Sequence, residues 1–473
     1  MARKTKIIAT IGPASATAEI VAAMVEAGLD VARLNFSHGD HDSHRAAIGW
    51  IRDAARDQGR AVAILQDIQG PRIRVGTFPG GSIELEVGSR VSLVPGQGEG
   101  GPDRIFVQHL DSIELGPGNR VLVADGMVGL LVEKVGPGEI VAIVASGGVV
   151  ADHKGVALPG ATIGLPAVTA KDEVDLAFGL EAGVDLVAAS FVTSGADIRS
   201  VRAIAGEVPV IAKVERVDAY ENLADILAEA DGVMVARGDL GVEMGFEKLP
   251  RVQKEIITRT RAAGALSITA TEMLESMVTS ARPTRAEVTD VANAVLDGSD
   301  AVMLSAETAV GRYPVRTVEV MSAICREAEQ TPGYPQRVTD GFLEDDIPFP
   351  TAIAHAAAET ASDLGLATVV AFTESGNTAR LVSRFRPNSR IVAFTPIEAT
   401  YRRLAAVWGV TPLLFPRYAS TDEMIAEAER VLLERSLVVP GEWVAMVAGI
   451  PPNQRASTNL LKLHTVGGTS AAV

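Results

Sequence analysis

Short runs of apolar, β-branched residues alternate with amphipathic segments at the start of the chain. The runs KIIATIG, DVARLNF and AVAILQD have the length and composition of buried strands. The segments between them, Thr17 to Ala27 and His44 to Gln58, place apolar residues at helical spacing. This alternation predicts consecutive βα units from Lys4 to Asp67.

The pattern changes between Gln69 and about Pro159, where short strands are separated by Gly and Pro. This texture predicts a small all-β module, of the small β-barrel kind, inserted into the βα series. The alternation then resumes with the apolar runs DLVAASF, VPVIAKVE, GVMVARG, LSITATE and AVMLSAE. Three strands before the insertion and five after it make eight, the number that closes a parallel barrel. We therefore predict a (β/α)8 TIM barrel with the insertion in its third βα loop.

The last part of the chain predicts a separate domain. A polar stretch near residues 330–350 is expected to be a linker. Beyond it, TVVAFT, RIVAFT, TPLLFP and WVAMVAG alternate with helical segments, which predicts a doubly wound α/β domain. The predicted ranges are 1–68 with 164–335 for the barrel, 69–163 for the β-rich insertion and 345–473 for the C-terminal domain.

Charge and composition exclude several classes of protein. A formal charge of −16 and a pI near 5.0 argue against sequence-independent binding to nucleic acid or to an anionic membrane. We see no signal peptide and no apolar stretch of about 18 residues that would span a membrane. The one cysteine, Cys325, cannot form an internal disulfide and is expected to be a small buried hydrophobic residue. These features predict a cytoplasmic protein.

Polar residues follow the predicted barrel strands at their carboxyl ends, which is where barrel enzymes place their active sites. Packing inside a barrel favours apolar side chains, so polar residues at several strand ends predict an active site. These residues are Arg33, Asn35 and Ser37 on strand two, Asp67 on strand three, Lys213 and Glu215 on strand five, Arg237 and Asp239 on strand six, Thr271 on strand seven and Ser305 on strand eight.

Lys213 and Glu215 on strand five indicate a site that acts through electrostatic interactions. Because strand side chains alternate with a period of two, Lys213 and Glu215 lie on one face, either at the barrel mouth or as a structural ion pair. With Asp239 added, two carboxylates can hold Mg²⁺ or Mn²⁺, whereas the absence of His and Cys disfavours zinc. Gly238 and Gly241 around Asp239 suit either a backbone site for a carboxylate or a tight βα turn.

An anionic substrate needs local positive charge in such an acidic protein. Arg33, Arg72 and Arg74 can supply it, because guanidinium groups suit phosphate oxygens. Each of these arginines is equally consistent with a solvated surface charge.

Several stretches resemble the motifs of pyruvate kinases, in order and over nearly the whole chain. They are KIIATIGPAS, GLDVARLNFSHG, QDIQGPRIRVG, ADGMVGL, LPAVTAKD, PVIAKVE, GVMVARGDLGVE, TEMLESM and SARPTRAEVTDVANAVLDGSDAVMLSAETAVGRYP. The family architecture is a barrel with a β-rich lid after strand three and a C-terminal α/β regulatory domain. The resemblance implies a glycolytic enzyme, expected to be a homotetramer, that transfers phosphate from phosphoenolpyruvate to ADP and gives pyruvate and ATP.

The resemblance also implies roles for individual residues. Lys213 would stabilise the transferring phosphoryl group, while Glu215 and Asp239 would bind the divalent metal. Backbone groups of Gly238 and Asp239, with the Thr271 hydroxyl, would hold the pyruvate carboxylate. The other implied assignments are Arg33 and Arg74 on phosphates, Asn35, His38 and Lys171 toward the nucleotide, Ser305 and Glu307 near the proton path, and Asp125 on the lid facing the cleft.

The residue at position 72 indicates whether the enzyme requires a monovalent cation. Family members that require K⁺ carry a glutamate at this position, and their K⁺ ligands match Asn35, Ser37 and Asp67. A guanidinium supplies the charge that K⁺ would bring, so we predict that K⁺ is not required. The alternative is that Arg72 pairs with a surface carboxylate. The neighbouring residues that also resemble the K⁺-independent branch are Ile68, Gln69 and Val75.

The C-terminal domain contains a candidate effector loop. The polar residues before a predicted helix favour an anion site, and related enzymes bind phosphorylated effectors here. We predict a sugar monophosphate or AMP as the effector. The charge of Glu374 opposes this prediction, and a plain turn is the alternative. The loop residues are Thr373, Ser375, Gly376, Asn377 and Thr378.

The sequence departs from the family motifs at three places, and two competing functions remain. The stretch GALSITAT, which ends at Thr271, lacks the Lys-Pro that is common there. Glu272 replaces a usual glutamine and Ala306 a usual glycine, but neither removes a residue assigned to chemistry. A silent metabolite-sensing paralogue would not need Lys213. A Mg²⁺-dependent barrel aldolase or lyase would need neither the lid nor the nucleotide-side residues.

Overall fold

The computed structural model describes residues 3–334, 347–451 and 457–468. The chain divides into two compact units. The first unit comprises Met1–Gln66, Ala182–Leu186 and Ile257–Val473, and the second unit comprises Asp67–Glu181 and Val187–Ile256. Each unit is described below by itself.

The chain begins with βα repeats, as predicted. The N-terminal elements are β1 (Lys6–Thr10), α1 (Ala18–Ala27), β2 (Val31–Asn35), α2 (His41–Asp57) and β3 (Ala63–Asp67). Both helices start at a polar cap: Thr17 accepts a hydrogen bond from the backbone N–H of Ile20, and Asp40 forms a capping box with Ser43.

The inserted region is all-β. Its strands are β4 (Ser82–Leu85), β5 (Arg90–Pro95), β6 (Arg104–Val107), β7 (Ile113–Glu114), β8 (Arg120–Val123), β9 (Val128–Gly136), β10 (Glu139–Ser146), β11 (Gly148–Ala151), β12 (Val156–Ala157) and β13 (Thr162–Ile163). Six of them form one sheet in the order β12-β8-β9-β10-β5-β6, and two pairs, β11-β4 and β13-β7, lie beside it. Alternating apolar residues such as Leu93, Ile105 and Val128 fill its core. We call this region the lid.

The βα alternation resumes after the lid and completes the barrel. These elements are α3 (Ala170–Ala182), β14 (Leu186–Ala189), α4 (Gly195–Ala205), β15 (Val210–Val214), α5 (Val217–Glu221), α6 (Leu223–Glu229), β16 (Gly232–Ala236), α7 (Arg237–Met244), α8 (Leu249–Ala262), β17 (Leu266–Ala270), α9 (Arg285–Leu296), β18 (Ala301–Leu304), α10 (Ala306–Ala309) and α11 (Pro314–Ala328). Eight strands close into a barrel in the order β1-β18-β17-β16-β15-β14-β3-β2. The predicted fold class is confirmed.

The C-terminal region forms a five-stranded sheet with helices. Its elements are α12 (Phe349–Asp363), β19 (Thr368–Phe372), α13 (Asn377–Arg384), β20 (Arg390–Thr395), α14 (Glu398–Arg403), β21 (Val410–Leu414), α15 (Thr421–Glu434), β22 (Trp443–Ala448) and β23 (Leu460–Thr465). The strand order is β21-β20-β19-β22-β23. The sequence pattern predicted the first four strands but missed β23, an antiparallel edge strand whose Lys462 and Leu463 are exposed.

A buried ion pair fixes the C-terminal sheet region within the first unit. Arg386 Nη2 lies 2.8 Å from Asp300 Oδ1, and the guanidinium stacks 4.4 Å from the ring of buried Trp408. Asp300 also accepts a hydrogen bond of 2.7 Å from the backbone N–H of Ser267. The amino ends of β17 and β18 are thereby bound to the loop before β20.

Three expectations about the rest of the chain have different outcomes. Cys325 is fully buried, as predicted, and burial raises the pKa of its thiol to about 12. Most of the predicted linker, residues 335–346, lies outside the described residues. Within the described ranges no helix combines the length and apolar character needed to cross a bilayer.

Candidate active site

Strand β15 presents the central charge of the second unit. Lys213 Nζ lies 2.8 Å from Glu215 Oε1 and 3.2 Å from Asp67 Oδ1. It also donates a hydrogen bond of 2.6 Å to Ser190 Oγ. The two-residue spacing does place Lys213 and Glu215 on one face, so an ammonium group lies between two carboxylates at the ends of β3 and β15.

Burial makes this cluster electrostatically strong. The side chains of Asp67 and Glu215 are 1% and 3% exposed. Burial raises the pKa of Glu215 above its usual range, the Lys213 ammonium opposes this rise, and the negative charge of Asp239 adds to it. Glu215 Oε2 accepts a hydrogen bond of 2.6 Å from the backbone N–H of Phe191. The carboxylate is therefore held in one orientation.

A cleft opens beside this cluster within the second unit, and both lid residues and strand ends line it. Asp239 reaches it from the first turn of α7, next to Gly238. The charged side chains that line it are Arg72, Asp125, Asp197, Glu215, Arg216, Asp239 and Glu243.

Glu215 and Asp239 fit a hard divalent cation. They are oxygen donors that face the same cleft and repel each other, and a divalent cation would relieve this repulsion. Among the described residues, no three His, Cys, Asp or Glu side chains converge as a preformed metal cage. A metal held by this pair would take its other ligands from water and substrate oxygens, as Mg²⁺ usually does.

Two arginines bring positive charge to the lid side. Arg72 is half-buried and lines the cleft, and it forms no ion pair with any described carboxylate. Its guanidinium lies against Gly155, where an added Cβ would be 3.5 Å from Arg72 Nη2. Burial and then the positive charge of Arg72 lower the pKa of Arg74.

Two other predicted residues of the second unit have defined surroundings. Lys171 Nζ lies 2.5 Å from Asp175 Oδ2, one turn along α3, and its side chain is half exposed. Asp125 lines the cleft from the turn between β8 and β9, where Ala124 and Asp125 both have left-handed backbone conformations.

The first unit contains the predicted residues of β2. Arg33 is buried, and its Nη1 donates a hydrogen bond of 2.9 Å to Thr10 Oγ1, which fixes the guanidinium against β1. Asn35 Oδ1 accepts a hydrogen bond of 3.1 Å from the backbone N–H of Ser37. The carbonyl of His38 is 3.0 Å from His44 Nε2.

The ends of β17 and β18, also in the first unit, combine strain with buried acid groups. Thr271 and Glu272 have φ values of 66° and 53°, a conformation that costs a β-branched residue free energy and often marks functional sites. Glu307 is fully buried and accepts hydrogen bonds from the backbone N–H groups of Leu274 and Ser305. Within the described ranges, the buried Ser305 Oγ has no hydrogen-bond partner.

Glu272 also has an electrostatic effect. The pKa of nearby Glu275 is raised, chiefly by burial and then by the negative charges of Glu307, Glu272 and Glu287. The sequence departure at Glu272 therefore adds negative charge beside the end of β17.

The predicted effector loop is ordered by its own contacts. Thr373 Oγ1 accepts a hydrogen bond of 2.9 Å from the backbone N–H of Gly376, which has a left-handed conformation before α13. Arg417 forms two hydrogen bonds, of 2.7 and 3.0 Å, with the carboxylate of Glu374. The negative charge that opposed an anion site is thus paired with a cation.

Sequence reasoning missed one member of the central cluster. Ser190 accepts the Lys213 hydrogen bond and donates one of 2.7 Å to the carbonyl of Ile68. It follows the last residue of β14, so the polar residue at the end of strand four in DLVAASF was the available signal.

The comparisons with known proteins agree with this geometry. The family model "Pyruvate kinase, barrel domain" matches residues 2–318, and "Pyruvate kinase, alpha/beta domain" matches residues 351–464. The chain belongs to the pyruvate kinase family. The pyruvate kinase of Corynebacterium glutamicum is 44% identical over 99% of this chain and 98% of its own length. That of Mycobacterium tuberculosis is 43% identical over 99% of both chains. A crystal structure of a pyruvate kinase from Cryptosporidium parvum shares a TM-score of 0.92 and 38% identity, over 98% of this chain and 96% of that one.

Family membership confirms the enzyme class predicted from the sequence. The roles of individual residues stay predictions, because they rest on geometry and motif position alone.

Replacing Lys213 should destabilise the protein, because its ammonium neutralises buried carboxylates. Lys213→Met leaves Asp67 and Glu215 without their cation, so we expect the free energy of unfolding to fall by about 3 kcal/mol at neutral pH. Loss of the ammonium raises the folded-state pKa of Glu215 further. A raised carboxyl pKa gives stability that is present at low pH and lost as pH rises through the folded pKa.

The loss should therefore be larger at about pH 8 than at about pH 5. Urea unfolding followed by circular dichroism at both pH values measures it, with Lys248→Met, at an exposed lysine of the same unit, as the control. A loss of equal size at both pH values would contradict the claim that Lys213 neutralises the carboxylates of Asp67 and Glu215.

Proposed function

We propose that the chain transfers the phosphoryl group of phosphoenolpyruvate to ADP and gives pyruvate and ATP. The observation that carries this proposal is the buried Lys213 ammonium beside a cleft that the carboxylates of Glu215 and Asp239 line. Phosphoryl transfer needs positioning and positive charge more than covalent chemistry, and this arrangement supplies both. A sensor without activity would not need a buried lysine there, and an aldolase would not need the lid.

Lys213 has the role that depends most on its surroundings. Its ammonium is oriented by Glu215, Asp67 and Ser190 before substrate binds, so little reorganisation is needed when charge develops on the transferring group. Glu215 and Asp239 would hold Mg²⁺ or Mn²⁺, which neutralises phosphate and enolate oxygens when bound.

The remaining residues bind and orient the substrates. Backbone groups of Gly238 and Asp239 at the start of α7, with the Thr271 hydroxyl, would receive the carboxylate of pyruvate. Arg33, already fixed by Thr10, would bind phosphate. The other proposed contacts are Arg74 with phosphate, Asn35, His38 and Lys171 with the nucleotide, and Ser305 and Glu307 near the proton path to the enolate.

Removing the ammonium tests the proposed function directly. We expect Lys213→Met to lower ATP formation from phosphoenolpyruvate, ADP and Mg²⁺ by about 10²- to 10³-fold while Mn²⁺ and pyruvate still bind. Lys248→Met, at an exposed position, should keep the wild-type rate. ATP formation by Lys213→Met at the wild-type rate would show that the role is wrong.

We also propose that the enzyme works without K⁺. Arg72 lines the cleft with its charge not compensated by any described carboxylate, so its guanidinium can replace a monovalent cation. Two unit charges 4 Å apart would repel by roughly 4 kcal/mol at an effective dielectric of 20. Discounted for distance and solvent, this repulsion would still disfavour a weak cation site near Asn35, Ser37 and Asp67.

A charge reversal tests this proposal. Rates are measured in tetramethylammonium buffer with saturating Mg²⁺, phosphoenolpyruvate and ADP, with and without KCl. Wild type should respond little to K⁺, Arg72→Glu should depend on it, and Arg104→Glu, an exposed charge reversal elsewhere on the lid, should behave as wild type. A wild type that is nearly silent until K⁺ is added would refute the proposal.

The loop before α13 is our proposed site for a sugar monophosphate or AMP. Its backbone is preorganised by Thr373, and Arg417 neutralises Glu374, so a phosphate meets no net repulsion from that carboxylate. The loop residues offered are Thr373, Ser375, Gly376, Asn377 and Thr378.

Activation at low phosphoenolpyruvate should correspond to a coupling of roughly 1 to 3 kcal/mol. Ser375→Asp should abolish it, and Arg417→Gln should weaken it by releasing the Glu374 charge. Substrate curves that no compound in a panel of sugar phosphates and AMP shifts, or an activation that survives Ser375→Asp, would count against this site.

The localisation, the oligomeric state and the domain ranges are also proposals. We infer a cytoplasmic homotetramer, supported by family membership and by the acidic composition. The domain ranges of 1–68 with 164–335, 69–163 and 345–473 stay proposals.

A further inference from the structure

Asp172 is a buried carboxylate that the chemistry described above does not use. It is fully buried in the first turn of α3, and it forms no ion pair within the described ranges. Its Oδ2 accepts hydrogen bonds from the backbone N–H (2.9 Å) and the hydroxyl (2.6 Å) of Thr169. Its Oδ1 accepts one of 3.2 Å from the backbone N–H of Gly70. A buried charge with no cation needs each of these donors.

The hydrogen bond from Gly70 connects Asp172 with the charge cluster around Lys213, because Gly70 packs against Ser190. Gly70 has φ of 66°, and an added Cβ would lie 2.7 Å from the carbonyl oxygen of Ser190, so only glycine allows this approach. Ser190 in turn donates to the carbonyl of Ile68 and accepts from Lys213. The loop 67–72 is therefore bound on one side by Ser190 and on the other by Asp172.

The hydrogen bonds from Thr169 connect Asp172 with the segment where the chain returns from the lid. The lid begins after the loop 67–72 and ends at β13 (Thr162–Ile163), and Thr169 follows shortly before α3. One carboxylate thus holds the chain where it leaves for the lid and where it returns.

We propose that Asp172 is a positioning residue that fixes both crossings to the lid and thereby places Asp67 and Arg72 for the reaction. The inference rests on the proposed function, because it assigns these two residues a part in it. Asp172 itself touches no reacting atom.

Helix capping alone does not explain Asp172. Asp197 forms the same local pattern at the start of α4, where it accepts from the backbone N–H and hydroxyl of Thr193 at 2.7 and 2.9 Å. Capping therefore accounts for the Thr169 bonds of Asp172 but not for the bond to Gly70, which is 102 residues away in sequence. That bond requires a second free acceptor oxygen, which a carboxylate has and an amide lacks.

The first test is Asp172→Asn, which keeps the shape of the side chain but replaces one acceptor by a donor. Hydrogen exchange measured by mass spectrometry should show faster exchange at residues 68–72 or at 164–169, and kcat should fall about 10- to 100-fold with a smaller change in KM. Asp231→Asn is the control for losing a carboxylate that binds backbone elsewhere in the same unit: Asp231 accepts a hydrogen bond of 2.9 Å from the backbone N–H of Val210 at the amino end of β15 and, unlike Asp172, also pairs with Arg202. It should lower the melting temperature and leave kcat unchanged.

Thr169→Val provides a second variant in case Asp172→Asn does not fold. It keeps the carboxylate but removes two hydrogen bonds: the one of 2.6 Å that the hydroxyl donates to Asp172 Oδ2 and the one of 3.2 Å that it accepts from the backbone N–H of Asp172. We expect kcat to fall about 2- to 10-fold. Wild-type exchange at both crossings in a folded variant, or an equal loss of kcat in Asp231→Asn, would overturn the proposal. The exchange measurement needs no turnover, so it decides on Asp172 even if wild type makes no ATP.

Discussion

The buried ammonium of Lys213 is the interaction on which the site depends. A charge at this depth needs partners, and they come from the ends of three adjacent strands: Asp67 is the last residue of β3, Ser190 follows β14 and Glu215 follows β15. Because β3, β14 and β15 are neighbouring strands of the parallel barrel, their carboxyl ends lie at the same edge, and the fold thereby brings the charge cluster together. Each carboxylate is also held by the lysine that it neutralises, which keeps the cluster ordered before substrate arrives.

The lid side of the cleft also contributes positive charge. The chain carries a net charge of −16 and yet must bind phosphorylated substrates, so its positive groups have to be concentrated where they bind. In the second unit these groups are Lys213, Arg72 and Arg74, near a cleft that Glu215 and Asp239 line from the barrel side. A divalent cation on that side and guanidinium groups on the other would place an anion between two positive centres.

Periodicity predicted most of the fold, because buried parallel strands are short apolar runs with polar ends. It also placed Lys213 and Glu215 on one face of β15, since that relation is local. It could not predict contacts between residues distant in sequence, such as Asp172 with Gly70 or Arg417 with Glu374. The edge strand β23 was missed because its exposed Lys462 weakens the apolar signal. The left-handed conformation of Thr271 and Glu272 could not be predicted, because neither residue type favours it.

A double-mutant cycle between Lys213 and Asp67 tests the central claim most directly. The unfolding free energies of wild type, Lys213→Met, Asp67→Asn and the double variant would be compared in urea. If the ammonium and the carboxylate stabilise each other in the folded protein, the losses are not additive and the coupling free energy is about 1 to 3 kcal/mol. Losses that add within about 0.5 kcal/mol would contradict a mutually stabilised charge cluster.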